Sequence, residues 1–312
     1  MRFMRSVRLS CGPDCGHTQF HNNSCRDRNC PPLIYCNQKL LYGFFHRCCA
    51  ETLLELSADK KHLGATPGII QVLHTRNQEI NCHAHMHCIV SGGGLTPDHK
   101  IRKVKKNFFL RVEVLRDKFK GKFLAGLQSF FQNSLLVFPA SCKGLRNSYE
   151  WSEFRDPLYR KNWCPYIKET FNGFGNAVEY LGRYTHKTAI SSSRILSVGE
   201  QQVSFSARGR QPGGPRRTVT LTNVEFIRRF LMHVLPSGFQ KIRYYGFLNN
   251  QYKARNLKLI FTIQGHQRFK EKYTNLSMPE LLKAAWNINI RICPKCGCCN
   301  MRHIGRAYGT SC

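Results

Sequence analysis

The feature that most narrows what this chain can become is His83-Ala84-His85-Met86-His87, which runs straight into Cys88-Ile89-Val90 and then Ser91-Gly92-Gly93-Gly94. On a β-strand successive side chains point to opposite faces, so three histidines at every second position aim their imidazoles at one shared volume. Imidazole is the commonest protein ligand for divalent metals, and a strand ending in a glycine turn would leave the far side of such a site open to a substrate. A half-exposed strand that carries polar residues outward has the same pattern. Further on, Ala177-Val178-Glu179-Tyr180-Leu181-Gly182-Arg183-Tyr184-Thr185-His186 holds two tyrosines four residues apart, which on a helix stack one turn above the other. A phenolic oxygen is a covalent nucleophile once a metal polarises its target, and two in register can perform two successive transesterifications. Ordinary helical packing neighbours share that spacing.

The stretches HAHMHCIVSGGGL, EYLGRYTHKTAIS and EFIRRFLMHVLPSGFQKIRYYG follow one another in that order, and NSCRDRNCP precedes them. In these motifs the chain resembles the two-tyrosine HUH transposases of rolling-circle insertion sequences, the IS-ninety-one family, from about Ala50 to Phe261. Its cysteine-rich start is similar to that family's N-terminal zinc-binding module. HUH denotes His, a hydrophobic residue, His, matched here by His85-Met86-His87. The resemblance implies that His85 and His87 hold a divalent cation, Mg²⁺ or Mn²⁺, against the scissile phosphate, with His83 the nearest third ligand and His186 a further one. It implies that Tyr180 and Tyr184 attack single-stranded transposon ends, leaving a 5′-phosphotyrosine and a free 3′-hydroxyl. It also implies an α+β fold, an HUH-type antiparallel sheet flanked by helices, in a bacterial cytoplasmic, nucleoid-associated enzyme. A plasmid relaxase or replication initiator shares this chemistry, and only EYLGRYTH and EFIRRFLMHVLP favour the transposase. A non-catalytic DNA-binding remnant would keep the same motifs.

Charge agrees with a polyanionic partner. Lys and Arg total 48 against 18 Asp and Glu in 312 residues, a formal net charge of +30, which points to nucleic acid. Nothing resembles a membrane helix of about 20 apolar residues. The densest basic cluster, SARGRQPGGPRRTVTL from Ser206, sets a Pro-Gly-Gly-Pro turn between strand-like QVSFSA and RTVTL. That reads as a basic hairpin or loop that could track a phosphate backbone, with a solvated loop as the equal alternative. Arg208, Arg210, Arg216 and Arg217 are its DNA-binding candidates, with Arg183 between the tyrosines.

Sixteen cysteines need their own account. The opening MRFMRSVRLSCG lacks the apolar segment of a signal peptide, so a reducing compartment is expected, where clustered cysteines read as zinc ligands. Cys11, Cys15, Cys25 and Cys30 lie amid Gly, Asn, Asp, Arg and Pro, a composition that builds no hydrophobic core and needs Zn²⁺ to order it. His17 and His21 are alternative ligands. After Cys30 the family has another cysteine almost at once, where this chain reads Pro31-Pro32-Leu33 and reaches Cys36 only later. At the far end, Cys293-Pro294-Lys295-Cys296, with Cys298 and Cys299, resembles one knuckle of a zinc ribbon.

The expected organisation is a truncated zinc-binding module over 1–38, the catalytic domain over 39–274, and a C-terminal helix with a cysteine-rich tail over 275–312. Relative to the family the chain is internally deleted. Several dozen residues, including a first strand, are missing where CPPLIYCNQKLLYGFF passes almost directly into a helix, so the sheet should be one strand short and open beside the histidine strand. Periodicity predicts an amphipathic helix over 39–56, with apolar residues at 40, 41, 44, 45, 48, 49, 53 and 56. GIIQVLHT and MHCIV are strands. A helix over 118–138 carries Phe119, Phe123, Leu127, Phe130 and Phe131 near one face. Residues 139–174 read as irregular insertion, 223–235 as a helix ended by Pro236 and Gly238, and MPELLKAAWNINI as a short helix. No internal repeat or low-complexity segment is present.

Overall fold

A computed structural model describes residues 6–11, 18–23, 31–104, 110–163, 165, 167, 189–208, 214–265, 276–286, 289–290, 292 and 296–298. The chain divides into two compact units, Met1–Ile260 and Phe261–Cys312. The fold is α+β, with antiparallel sheets flanked by helices. Among the described residues no helix is long and apolar enough to cross a membrane.

The first unit opens with an antiparallel hairpin, β1 (Ser6–Cys11) and β2 (Thr18–Asn23), in which Cys11 pairs with Thr18. Cys15, Cys25, Cys30 and His17 lie outside the described residues. Two helices follow, α1 (Pro31–Cys36) and α2 (Gln38–Ala58). The expected apolar stripe of α2 is buried at Leu41, Phe44, Cys48, Leu53 and Leu56. Asn37, between the helices, ties the junction down: its amide donates to the Leu33 and Val137 carbonyls and its oxygen accepts from the Val137 amide, each at 2.8 Å. Leu33 thereby joins the same core as Leu41 and Phe44.

Helix α3 (Val112–Gln132) starts and stops earlier than the apolar pattern suggested. Its end is set by Ser134, which turns into the left-handed region at φ 55°. Phe44 of α2 sits edge-on to Phe130 of α3 at 4.9 Å between ring centres. Gly126 permits that approach, since a Cβ there would overlap the Phe44 ring. The segment expected to be irregular contains a 3₁₀ turn, Ala140–Arg146, and a helix, α4 (Ser148–Arg160), capped by Asn147. The apolar face of α4, Trp151 and Leu158 with Phe154 packed alongside, is sparse among charged neighbours, which hid its period in the sequence. Trp151 stacks on Phe131 at 4.4 Å and donates from its indole to Gln128 at 2.7 Å.

The principal sheet is built from β3 (Thr66–Arg76), β4 (Cys82–Leu95), β5 (Ile101–Lys103) and a late strand, Ile242–Gly246, in the order β5, β4, β3, late strand. β5 pairs only with Gly93–Leu95. Among the described residues, no strand pairs with the outer edge of the histidine-bearing stretch of β4. The glycines of β4 do not make the turn expected of them. The strand runs through them to Leu95, and Gly94 lies so close to the Thr66 carbonyl of β3 that a Cβ, 2.6 Å from that oxygen, would not fit.

A second sheet holds β6 (Ile195–Val198), β7 (Gln202–Ala207) and β8 (Arg217–Thr222), in that order. QVSFSA and RTVTL pair as a hairpin, Gln202 opposite Thr222 and Ala207 opposite Arg217. Val203, Phe205 and Ala207 are buried at the strand period of two. Helix α5 (Asn223–Leu231) starts at once from a Thr222 cap, whose hydroxyl accepts from the Glu225 amide. The late strand is β9, and α6 (Lys253–Ile263) follows it. In the second unit, α7 (Met278–Trp286) is preceded by Ser277, whose amide and hydroxyl donate to the Glu280 carboxylate at 2.8 and 2.6 Å, a capping arrangement. Cys296 and Cys298 are exposed there, and Cys293 and Cys299 lie outside the described residues.

Candidate metal centre

The β3–β4 hairpin has two unlike faces. Toward α2 it presents Ile69, Gln71 and Leu73, all without solvent exposure, and Cys88 and Val90. His46 of α2 donates from Nδ1 to the Gln71 amide oxygen at 3.0 Å, and burial pulls its pKa down to about 4, so the ring is neutral. Enclosure, then a hydrogen bond to Cys88, pushes the Cys49 thiol well up, so it stays protonated.

The opposite face carries the histidines, all half-buried. His74 of β3 is the cross-strand partner of His85, and His87 follows two positions along β4 on the same face. Antiparallel partners point the same way, so the three rings gather: ring centres are 5.2 Å apart for His74 and His85, 4.5 Å for His74 and His87, and 5.1 Å for His85 and His87. One nitrogen from each lies within 4.8 Å of the others. Metal–imidazole bonds of about 2.0–2.1 Å ask for nitrogens no more than roughly 4.2 Å apart, a small side-chain rotation from this arrangement. The donor set fits a divalent first-row cation.

His83 has a different place. It is not one of the three converging ligand atoms; its carbonyl accepts from Nδ1 of His85 at 2.8 Å. That bond fixes the His85 tautomer and leaves the Nε2 lone pair for a metal, the usual second contact of a ligating histidine. Burial, then the charges of His83 and Arg76, lower the His85 pKa, which keeps the ring in its ligating form at neutral pH. His74 is the residue that sequence reasoning missed. Its signal was its place near the end of GIIQVLHT, but the register that sets it opposite His85 cannot be read from either strand alone.

The hairpin tip is held by the second sheet and by α5. Asn77 Oδ1 accepts from the Glu79 and Asn81 amides at 2.9 Å, and Ile80 sits fully buried at φ 61°. A β-branched residue in the left-handed region is strained and persists only where its surroundings fix it. His233, just past α5, donates from Nε2 to the Ile80 carbonyl at 2.9 Å and meets the Thr75 hydroxyl at Nδ1, 3.0 Å away. Arg229 donates to the Glu79 carbonyl at 3.1 Å, and Arg217 forms an ion pair with the Glu79 carboxylate. Arg217, a DNA-binding candidate, is thus engaged within the fold, while Arg208 and Arg216 are exposed. Arg183, Arg210, Tyr180, Tyr184 and His186 lie outside the described residues.

A half-open face of an antiparallel sheet with three convergent imidazoles defines a candidate metal-binding protein. A family model described as "Putative transposase", Y2_Tnp, matches residues 68–256, which span the triad, both sheets and the tip contacts. The chain belongs to that transposase family, of IS91 type. It is 36% identical over 279 residues to "Putative transposase y4qJ" of Sinorhizobium fredii, covering 78% of this chain and 70% of that protein. It is 26% identical over 289 residues to "Transposase for insertion sequence element IS801" of Pseudomonas savastanoi pv. phaseolicola, covering 81% and 68%. No solved structure matches it significantly.

Proposed function

We propose that the chain is a DNA transposase that cuts and rejoins single-stranded transposon ends through a 5′-phosphotyrosine, as in rolling-circle transposition. The observation that carries this reading is the convergence of His74, His85 and His87 on the half-open face of the sheet, in a chain of this family. Mg²⁺ or Mn²⁺ held there supplies neutralisation of charge building on the phosphate oxygens. His85 and His87 are the ligands expected from the motif, His74 is the third, and His83 orients His85. Tyr180 or Tyr184 attacks phosphorus; the Tyr–O–P bond forms, the P–O3′ bond breaks, and the phenolic proton ends on the freed 3′-oxygen. A 3′-hydroxyl then attacks that phosphorus, the tyrosine leaves with a proton, and the strand is rejoined without ATP. Two nucleophiles permit two such cycles without release. Cys11, Cys15, Cys25 and Cys30 hold Zn²⁺ in a module that positions DNA, and Arg183, Arg208, Arg210 and Arg216 contact its backbone, in a bacterial cytoplasm.

The test is an adduct assay with labelled single-stranded DNA carrying the ends that flank this gene, in Mg²⁺ or Mn²⁺. The unmodified chain should give a protein–DNA band that survives denaturation. Tyr180→Phe and Tyr184→Phe should each retain some, and the double variant none. An adduct formed by the double variant places the nucleophile elsewhere, and no adduct from the unmodified chain identifies a non-catalytic remnant.

A further inference from the structure

Arg194 crosses from the second sheet to the tip of the histidine hairpin. Its Nε donates to the Ser206 carbonyl at 2.7 Å, one Nη to the Gln78 carbonyl at 2.5 Å, and its guanidinium lies 5.7 Å from the centre of the Phe205 ring. Arg76 is two residues before Gln78, and Arg208 is two residues beyond Ser206. This single bridge therefore draws three guanidiniums to one seam. Arg216 adjoins them, because the β7–β8 ladder ends at Ala207 paired with Arg217.

Like charges are crowded here. Burial and then the charges of Arg216 and Arg208 lower the proton affinity of Arg194. Elsewhere in this region guanidiniums are matched: Arg217 with Glu79, Arg228 and Arg229 with Glu225. Among the described residues, no carboxylate pairs with Arg194, Arg208 or Arg216. Arg194, Arg208 and Arg216, brought together with no carboxylate on them among the described residues, become favourable neighbours when a polyanion lies along them.

We propose that Arg76, Arg194, Arg208 and Arg216 form a phosphate-holding stripe that starts at the histidine triad and runs out along the β7–β8 hairpin. The phosphodiester next to the one at the triad rests on Arg76, and those beyond it rest on Arg194, Arg208 and Arg216. The stripe rests on the DNA-cleaving reading and adds the route the strand takes across the molecule. Guanidinium suits this role because its planar fork of donors matches two phosphate oxygens at once.

The experiment is fluorescence anisotropy of a labelled oligo-dT strand with the full chain in EDTA over a series of salt concentrations. Each lost contact to a single strand should reduce the magnitude of the log K against log salt slope by about 0.7. Arg76→Gln, Arg208→Gln and Arg216→Gln should each show that reduction, and Lys100→Gln, at a surface ion pair with Asp98, should not. Arg208 and Arg216 are exposed, so their variants report on the stripe even where Arg76→Gln unfolds, which a thermal melt detects. Unchanged slopes in the arginine variants overturn the stripe, as does an equal reduction for Lys100→Gln, which marks diffuse binding. Binding of oligo-dT in EDTA needs neither metal nor tyrosine, so the adduct assay reports on cleavage separately.

Discussion

The two faces of the β3–β4 hairpin are made from alternate residues of the same two strands, yet they are governed by different physics. On one face Ile69, Gln71 and Leu73 are sealed under α2, and the one polar residue among them is matched by His46. On the other, the half-buried rings of His74, His85 and His87 gather on one another. One face supplies the stability under α2, and the other gathers three polar rings beside Val72, the buried cross-strand partner of His87. A hairpin built this way divides its folding residues from its chemical ones largely by parity.

The sharpest way to break that division is to substitute one position on each face. His85→Ala should reduce Mn²⁺ affinity, read by titration calorimetry, by more than the roughly 10–100-fold that loss of a supporting group costs, while the urea midpoint of the metal-free chain stays nearly fixed. His83→Ala keeps the carbonyl that orients His85, so its affinity should stay within about tenfold of the unmodified chain. Comparable losses in the two variants would make His83 a ligand. Leu73→Ala should do the reverse, costing about 2–5 kcal/mol in urea unfolding while metal affinity of the folded fraction is retained. The most gradual effect is one of pH. His46 is held near 4 in the fold against about 6.5 when unfolded, so between those values the unfolded chain binds a proton that the folded chain does not. Stability should therefore fall as pH drops from about 6.5 towards 4, by at most about 1.4 kcal/mol per pH unit from this group. Burial lowers His85 and His233 in the same direction. A His46→Gln variant should flatten the profile, and an unchanged profile would move the effect to the other histidines.

Much of this was legible in the sequence wherever one element carries its own period. The 3.6-residue stripe of α2 and the two-residue alternation that puts His85 and His87 on one face are both local patterns. So is the strand alternation of QVSFSA and RTVTL, which pair as β7 and β8. What the sequence withheld depends on how elements meet. His74 becomes a candidate ligand only through the register opposite His85, and Arg217 is tied into the fold through Glu79, far earlier in the chain. The glycines of β4 resembled a turn because the usual use of three glycines is conformational, whereas Gly94 is needed for the passage of Thr66. α4 was missed because charged residues dilute the Trp151 and Leu158 face.

The triad is contained within one hairpin, from His74 to His87, whereas Arg194 and His233 reach the hairpin tip from 116 and 153 residues further along the chain. Closing a short loop costs little entropy and closing such long ones costs more, so the order of assembly during folding follows from the sequence positions alone. The histidines can meet as soon as β3 and β4 pair, while the strained backbone at Ile80 waits for His233 to fasten it. As the chain emerges from the ribosome, the hairpin that carries His74, His85 and His87 is complete before Arg194, Arg208, Arg216 and His233 have been synthesised.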